Sequence, residues 1–148
     1  MPESDKILVL NGPNLNLLGQ REPGIYGAVT LDDISKQCEV FARDLGYETS
    51  FEQSNIEGEL VSILHAADKQ YVGVAINAGA YTHTSVALHD AISAISVPVV
   101  ELHISNIHAR EKFRHHSMIA AACIGQICGF GAASYTLAIQ ALIGHLKT

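Results

Sequence analysis

Ile7-Leu8-Val9-Leu10-Asn11-Gly12-Pro13-Asn14 is the stretch that decides the fold. A strand with one wet face alternates apolar and polar residues. Four consecutive apolar residues ending in an Asn-Gly-Pro-Asn turn read instead as a strand buried on both faces and feeding a loop. Val72 to Ile76 repeats the pattern and ends at Asn77-Ala78-Gly79-Ala80. Val97 to Leu102 reads as a further strand, with Pro98 at the start, where a missing N–H donor is tolerated. Glu48 to Gln53 alternates, as an edge-side strand would, and a fifth strand is expected around Ile119 to Ile127.

Helical spacing fills the gaps between these runs. Leu31, Ile34, Cys38, Phe41, Ala42 and Leu45 share one face, with Thr30 or Asp32 as N-cap and Gly46 just past the end. Leu60, Ile63, Leu64 and Ala67 form a second face, and Thr84 to Ser96 a third helix. A short polar helix is expected near Ala109 to His116, and a last helix from about Ala132 to Leu146. The last helix is apolar on more than one side, so it is either unusually buried or covered by another subunit. Five βα repeats with near-continuous apolar strands predict an α/β fold. Right-handed crossovers make it a doubly wound three-layer sandwich around a five-stranded parallel sheet. No linker, repeat or low-complexity tract divides the 148 residues, so one domain over 1–148 is expected.

Composition narrows the function. With 48% hydrophobic and 16% charged residues the chain is globular, and its net charge of −6 argues against bulk binding to nucleic acid or an anionic membrane. Any anion must be drawn by local charge, and Arg110, Lys112 and Arg114 form the dense cationic cluster. The stretch from Ser117 to Lys147 carries no Asp, Glu, Lys or Arg before its final lysine. Glycines and polar residues interrupt it at strand and turn intervals, which fits a strand, a turn and a buried helix better than a membrane span. Cys38, Cys123 and Cys128 show no metal-ligand spacing and suit reduced thiols in a cytoplasmic protein. The first residues lack a basic segment followed by an apolar one, so no signal peptide is expected. Eight histidines show neither H-E-x-x-H nor a zinc quartet, so no metal is expected.

Ligands of an open parallel sheet bind outside the carboxyl ends of its strands. Three such ends carry unusual polar groups here. Asn11, Asn14 and Asn16 follow the first strand, and after them the loop from Gly19 to Gly27 presents Arg21 and Tyr26 among glycines and a proline. A phenol beside a guanidinium can lose its proton well below the reference value of about 10, which makes Tyr26 a candidate base. Asn77, Tyr81, Thr82, His83, Thr84 and Ser85 follow the third strand, at a helix start capped by Thr82 or Thr84. Free N–H groups there could hold an anion, although a plain capping turn with His83 exposed fits equally well.

Glu101, His103 and Ser105 alternate at the end of the fourth strand and so project to one side. A carboxylate beside an imidazole fixes its tautomer and favours a general acid. An exposed polar face on an edge strand is the alternative, but the apolar, central pattern of this strand favours the acid. A flavin- or nucleotide-binding module of the same fold would need aromatic stacking or a phosphate loop. Neither G-x-G-x-x-G nor a Walker lysine is present.

Taken in order, Asn11-Gly12-Pro13-Asn14-Leu15-Asn16, Arg21-Glu22-Pro23 with Tyr26-Gly27, Gln53-Ser54-Asn55 with Glu57-Gly58, Asn77-Ala78-Gly79 with Thr82-His83-Thr84-Ser85, and Glu101-Leu102-His103-Ile104-Ser105-Asn106 with His108-Ala109-Arg110-Glu111 resemble the type II 3-dehydroquinate dehydratases. The resemblance runs from Ile7 to the last helix. It implies a flavodoxin-like fold with strand order 2-1-3-4-5 and a homododecamer built as a tetramer of trimers. It implies dehydration of 3-dehydroquinate to 3-dehydroshikimate in the shikimate pathway, without metal or organic cofactor.

Carried onto this chain, the resemblance makes Tyr26 the base, with Arg21 favouring its phenolate. His103, oriented by Glu101, is the acid, and Asn14 helps hold the water that stabilises the enolate oxygen. Asn77, His83 and Arg114 are expected to grip the ring hydroxyls, while Ile104 and Ser105 hold the carboxylate. Arg110 supports the site, and Asp90 reaches a neighbouring subunit. Lys69, Lys112 and Lys147 show no buried setting, which disfavours a covalent imine.

Overall fold

The computed structural model describes residues 5–20 and 28–148. Its sheet has five parallel strands, β1 (Lys6–Asn11), β2 (Glu48–Gln53), β3 (Gly73–Asn77), β4 (Val99–His103) and β5 (Gly125–Cys128), in the order β2-β1-β3-β4-β5. The chain is therefore α/β with the expected strand order. β1 lies inside the sheet between β2 and β3, and its apolar run Ile7, Leu8, Val9 and Leu10 is fully buried.

Period-two alternation sends Ile7 and Val9 into one layer and Leu8 and Leu10 into the other. The first layer is closed by α1 (Leu31–Asp44) and α4 (Ala133–Leu146), through Ile34, Cys38, Ala138, Ile139 and Leu142. The second is closed by α2 (Glu57–Gln70) and α3 (Val86–Ala94), through Leu60, Leu64, Leu88 and Ile92. Each Leu or Ile so buried contributes roughly 1.5–3 kcal/mol relative to an exposed one. Within the single chain, α4 is buried along one side. Tyr135, Ala138, Ile139, Leu142 and Ile143 are buried, while Leu137 and Leu146 remain exposed.

Local chemistry sets the ends of these elements. Thr30 is the N-cap of α1. Its hydroxyl accepts from the Asp33 N–H while the Asp33 carboxylate accepts from the Thr30 N–H, a reciprocal capping box. The third helix is shorter than Thr84 to Ser96, and neither Thr82 nor Thr84 caps it. Thr82 is buried in a 3-10 turn over Gly79–His83, and the hydroxyl of Ser85 takes the N-cap by accepting from the Leu88 N–H.

The polar helix near Ala109 to His116 is instead two 3-10 turns, Ile107–Ala109 and Lys112–Arg114. The Asn106 side chain caps the first, and an extended Arg110 separates them. The fifth strand starts only at Gly125, because the Ser117 hydroxyl accepts from the Ile119 and Ala120 N–H groups and turns the chain into a 3-10 segment over Ala120–Ala122. The crossover from β4 to β5 is thus made of turns, so four rather than five units carry an α-helix. Among the described residues no helix is long and apolar enough to cross a membrane.

The two loops that follow β1 and β3 are pressed together. The Gly12 N–H donates to the Asn77 carbonyl at 2.8 Å, and a Cβ on Gly12 would stand 2.3 Å from the Ala78 carbonyl oxygen and 2.6 Å from its carbon. Gly79 adopts φ +60° and lies over the Pro13 carbonyl. Only glycine permits this approach at residue 12, since the obstacle is backbone and no side-chain rotation relieves it. Gly12→Ala is expected to destabilise the fold by about 3 kcal/mol or more, read as a lower urea midpoint. A midpoint equal to that of the wild type would show that the two loops can part without cost.

Candidate active site

The pressed loops and the end of β4 frame a cavity of about 110 Å³. The β1 loop contributes Asn14 and the β3 loop Asn77 and His83. The segment after β4 contributes His103, Ile104 and Ser105, and the two 3-10 turns bring in Arg110 and Arg114. Eight of the twelve residues singled out from sequence therefore converge on one cavity. Glu101 stands behind His103, and Asp90 is exposed on α3, away from the cavity lining. Arg21 and Tyr26 lie outside the described residues.

Glu101 is fully buried and His103 nearly so. The His103 Nε2–H donates to Glu101 Oε2 at 2.5 Å, and Gln126 Nε2 donates to the same oxygen at 2.9 Å. The Ser117 hydroxyl lies 2.9 and 3.0 Å from the two carboxylate oxygens and donates to one of them. Burial opposes the charge on Glu101, but the His103 hydrogen bond and attraction, with help from Gln126 and Ser117, outweigh it and hold the carboxyl below its usual range. A carboxylate only accepts, so Nε2 must carry its proton. That leaves Nδ1 as the remaining polar atom of a ring lining the cavity.

The depressed Glu101 value has a definite consequence for stability. Its contribution is complete above the unfolded carboxyl value of about 4.3 and is lost as pH falls through the lower folded value. Glu101→Gln should therefore flatten the acid side of the stability–pH curve, seen as urea midpoints that fall less between pH 5 and pH 3 than in the wild type. Parallel curves for the two proteins would refute an ionised Glu101 in the fold.

His83 differs from His103. Burial lowers its pKa, as does repulsion from His103 and Arg114, against the raising effect of its bond to the His116 carbonyl. That bond, 2.9 Å at Nδ1, requires Nδ1–H and leaves Nε2 as an acceptor on the neutral ring. The two imidazole rings stand 6.2 Å apart at their centroids, inclined by 20°. Arg114 Nε donates to Glu111 at 2.8 Å, and Arg110 Nη1 donates to the Ser105 hydroxyl at 3.3 Å. The guanidinium groups thus sit beside a hydroxyl and two exposed backbone turns, a setting that attracts a carboxylate or a polyol.

Asn14 has φ 69°, the left-handed conformation that asparagine tolerates better than most residues, and its N–H donates to Asn55 Oδ1 at 3.0 Å. Gln53 Nε2 donates to the Gly12 carbonyl and to Asn55, which ties the end of β2 to the same loop. The Asn77 amide is held at both ends. Nδ2 donates to the Tyr135 hydroxyl at 2.9 Å, and Oδ1 accepts from the Gly79 N–H at 3.2 Å. Tyr135, Ser117 and Gln126 are parts of this network that sequence reasoning missed, and Asn11, noted there only as a polar group at the end of the first strand, is tied to it through Tyr135. The three missed residues reach the site from α4, the β4–β5 crossover and β5, at distances along the chain that no local spacing encodes. Among the described residues no group of His, Cys, Asp or Glu is placed to hold a metal ion.

The family model described as Dehydroquinase class II matches residues 5–143. The chain is 70% identical over 136 residues to a 3-dehydroquinate dehydratase of Rhizobium etli, a match covering 92% of this chain and 94% of the relative. It is 59% identical over 141 residues to the 3-dehydroquinate dehydratase of Trichodesmium erythraeum, covering 95% and 94% of the two chains. Its fold superposes on the type II dehydroquinase of Propionibacterium acnes with a TM-score of 0.91 at 42% identity, over 95% of this chain and 97% of that one.

Proposed function

The chain belongs to the class II dehydroquinase family, and on that basis we propose that it dehydrates 3-dehydroquinate to 3-dehydroshikimate by elimination through an enolate. The observation that carries this proposal is the buried Glu101–His103 pair, joined at 2.5 Å and opening on a cavity lined by Asn77, His83, Arg110 and Arg114. Removing a proton next to a ketone and expelling a hydroxyl from another carbon takes a base, a stabiliser for the enolate oxygen and a separate acid.

In this scheme Tyr26, with its phenolate favoured by Arg21, takes the proton from the carbon beside the ketone. Electron density moves to the carbonyl oxygen, where a water held with the help of Asn14 stabilises the enolate. When the enolate collapses, the carbon–oxygen bond of the leaving hydroxyl breaks, and His103, held by Glu101, donates the proton that makes it water. Asn77, neutral His83 and Arg114 bind the ring hydroxyls. The backbone N–H of Ile104 and the hydroxyl of Ser105 bind the carboxylate, with Arg110 bonded to that hydroxyl. No step calls on a metal or an organic cofactor.

The family resemblance also supports a cytoplasmic homododecamer in which Asp90 reaches a neighbouring subunit's site. Asp90 is exposed on α3, which leaves it free for that contact. A fully active monomer by light scattering would exclude the assembly. The reaction itself is tested by adding 3-dehydroquinate to the folded protein and following the absorbance of the conjugated enone. We expect the absorbance to rise in proportion to enzyme; a folded preparation that gives no signal refutes the function.

A further inference from the structure

We infer that Tyr135 is a positioning residue for substrate binding: its buried hydroxyl fixes the orientation of the Asn77 amide that lines the cavity. The inference rests on the proposed role of Asn77 in holding a ring hydroxyl, and deepens it. Tyr135 is 1% exposed on the first turn of α4. Its hydroxyl donates to Asn11 Oδ1 at 2.7 Å and accepts from Asn77 Nδ2 at 2.9 Å. Asn11 is fully buried and in turn donates through Nδ2 to the Glu52 carbonyl at 3.1 Å, so its own amide cannot rotate without losing a bond.

The polarity of this chain is set at both ends. The Glu52 carbonyl can only accept, so Asn11 must present Oδ1 to Tyr135, and the Tyr135 hydroxyl must spend its single proton there. Its oxygen is then an acceptor for Asn77, which must offer Nδ2 and keep Oδ1 for the Gly79 N–H. A flipped Asn77 would face the Gly79 N–H with its own donors and leave the hydroxyl without a bond, a costly arrangement for buried groups. Burial pushes the Tyr135 phenol well above its usual range, so it stays protonated and the direction of the chain does not change with pH. For a ligand Asn77 then keeps a second N–H and one lone pair of Oδ1, each at a fixed place, and the N–H is a donor suited to the oxygen of a ring hydroxyl. Helix α4, remote in sequence, thereby determines which atom of a cavity residue faces the substrate.

Tyr135→Phe keeps the ring and deletes only the hydroxyl. We expect KM for 3-dehydroquinate to rise about 10-fold while kcat stays within about threefold, the signature of binding lost equally in ground and transition states. In an Asn77→Ala background the same change should leave KM unaltered, whereas a purely structural role would lower Tm equally in both backgrounds and leave the KM effects additive. Should Tyr135→Phe fold poorly, Asn11→Ala removes the acceptor that orients the hydroxyl and should raise KM in the same non-additive way. Crystal structures of the wild type and Tyr135→Phe give a readout independent of turnover, since the Asn77 amide, left with its Gly79 bond alone, should be rotated or split between two orientations only in the variant. An inactive wild type with this amide change would sink the proposed reaction and spare the positioning role. An active wild type with additive KM effects, or an unmoved Asn77 amide in the variant, would overturn the positioning role alone.

Discussion

His103→Ala is expected to lower kcat for 3-dehydroquinate by about 10²–10⁴-fold, the usual cost of removing a positioned acid or base. The leaving hydroxide is a poor leaving group, and without a donor beside it the enolate reverts to substrate more often than it eliminates. His103 suits that task by its surroundings. Glu101 holds the ring at Nε2, and Gln126 and Ser117 hold Glu101, so the imidazole has little freedom to turn while Nδ1 remains available. The same network keeps the variant interpretable. With the imidazole gone, the carboxylate retains donors from Ser117 and Gln126, and the β4 backbone still pairs with β3 and β5. A folded protein by circular dichroism, nearly inactive and partly rescued by added imidazole, is the expected outcome. A loss of less than threefold would remove His103 from the role of acid.

The layout of the sheet was legible because the strands announce themselves. Ile7 to Leu10 and Gly73 to Ile76 are buried on both faces, and a doubly covered parallel strand suits such runs. Glu48 to Gln53 alternates, and it is indeed at an edge of the sheet. The crossover after β4 was less legible. Its turns are set by Asn106 and Ser117, whose side chains cap the backbone locally and override the weak helical spacing around Ala109 to His116. The Glu101–His103 pair was visible because period two puts both on one side of β4. The groups that hold the pair were not, since Ser117 and Gln126 meet Glu101 only through tertiary packing, 16 and 25 residues away along the chain. Tyr135 was hidden more deeply still. On an apolar helix it reads as core, and its hydroxyl gains meaning only from Asn11 and Asn77, 124 and 58 residues distant.

Tyr26→Phe carries the other large effect, a fall in kcat expected at about 10²–10⁴-fold or more. Under the proposed scheme, none of the ionisable groups among the described cavity residues serves as that base. Its ionisable side chains are His83, His103, Arg110 and Arg114. The arginines do not give up a proton in water. His103 is the acid in the proposed scheme, and a single imidazole cannot at once be protonated for the leaving hydroxyl and unprotonated for the carbon. His83 uses Nδ1–H on the His116 carbonyl, and burial, with His103 and Arg114 beside it, depresses its basicity. A base that must abstract a proton from carbon gains from high basicity, which a depressed imidazole lacks and a phenolate has. Phenylalanine preserves the ring and removes only the oxygen, so KM should change far less than kcat. The same substitution also separates the two half-reactions. Hydrogen exchange at the carbon beside the ketone, followed by NMR in heavy water, should vanish in Tyr26→Phe and persist in His103→Ala, where the enolate still forms. Exchange retained in Tyr26→Phe at the wild-type rate would assign the base to another residue.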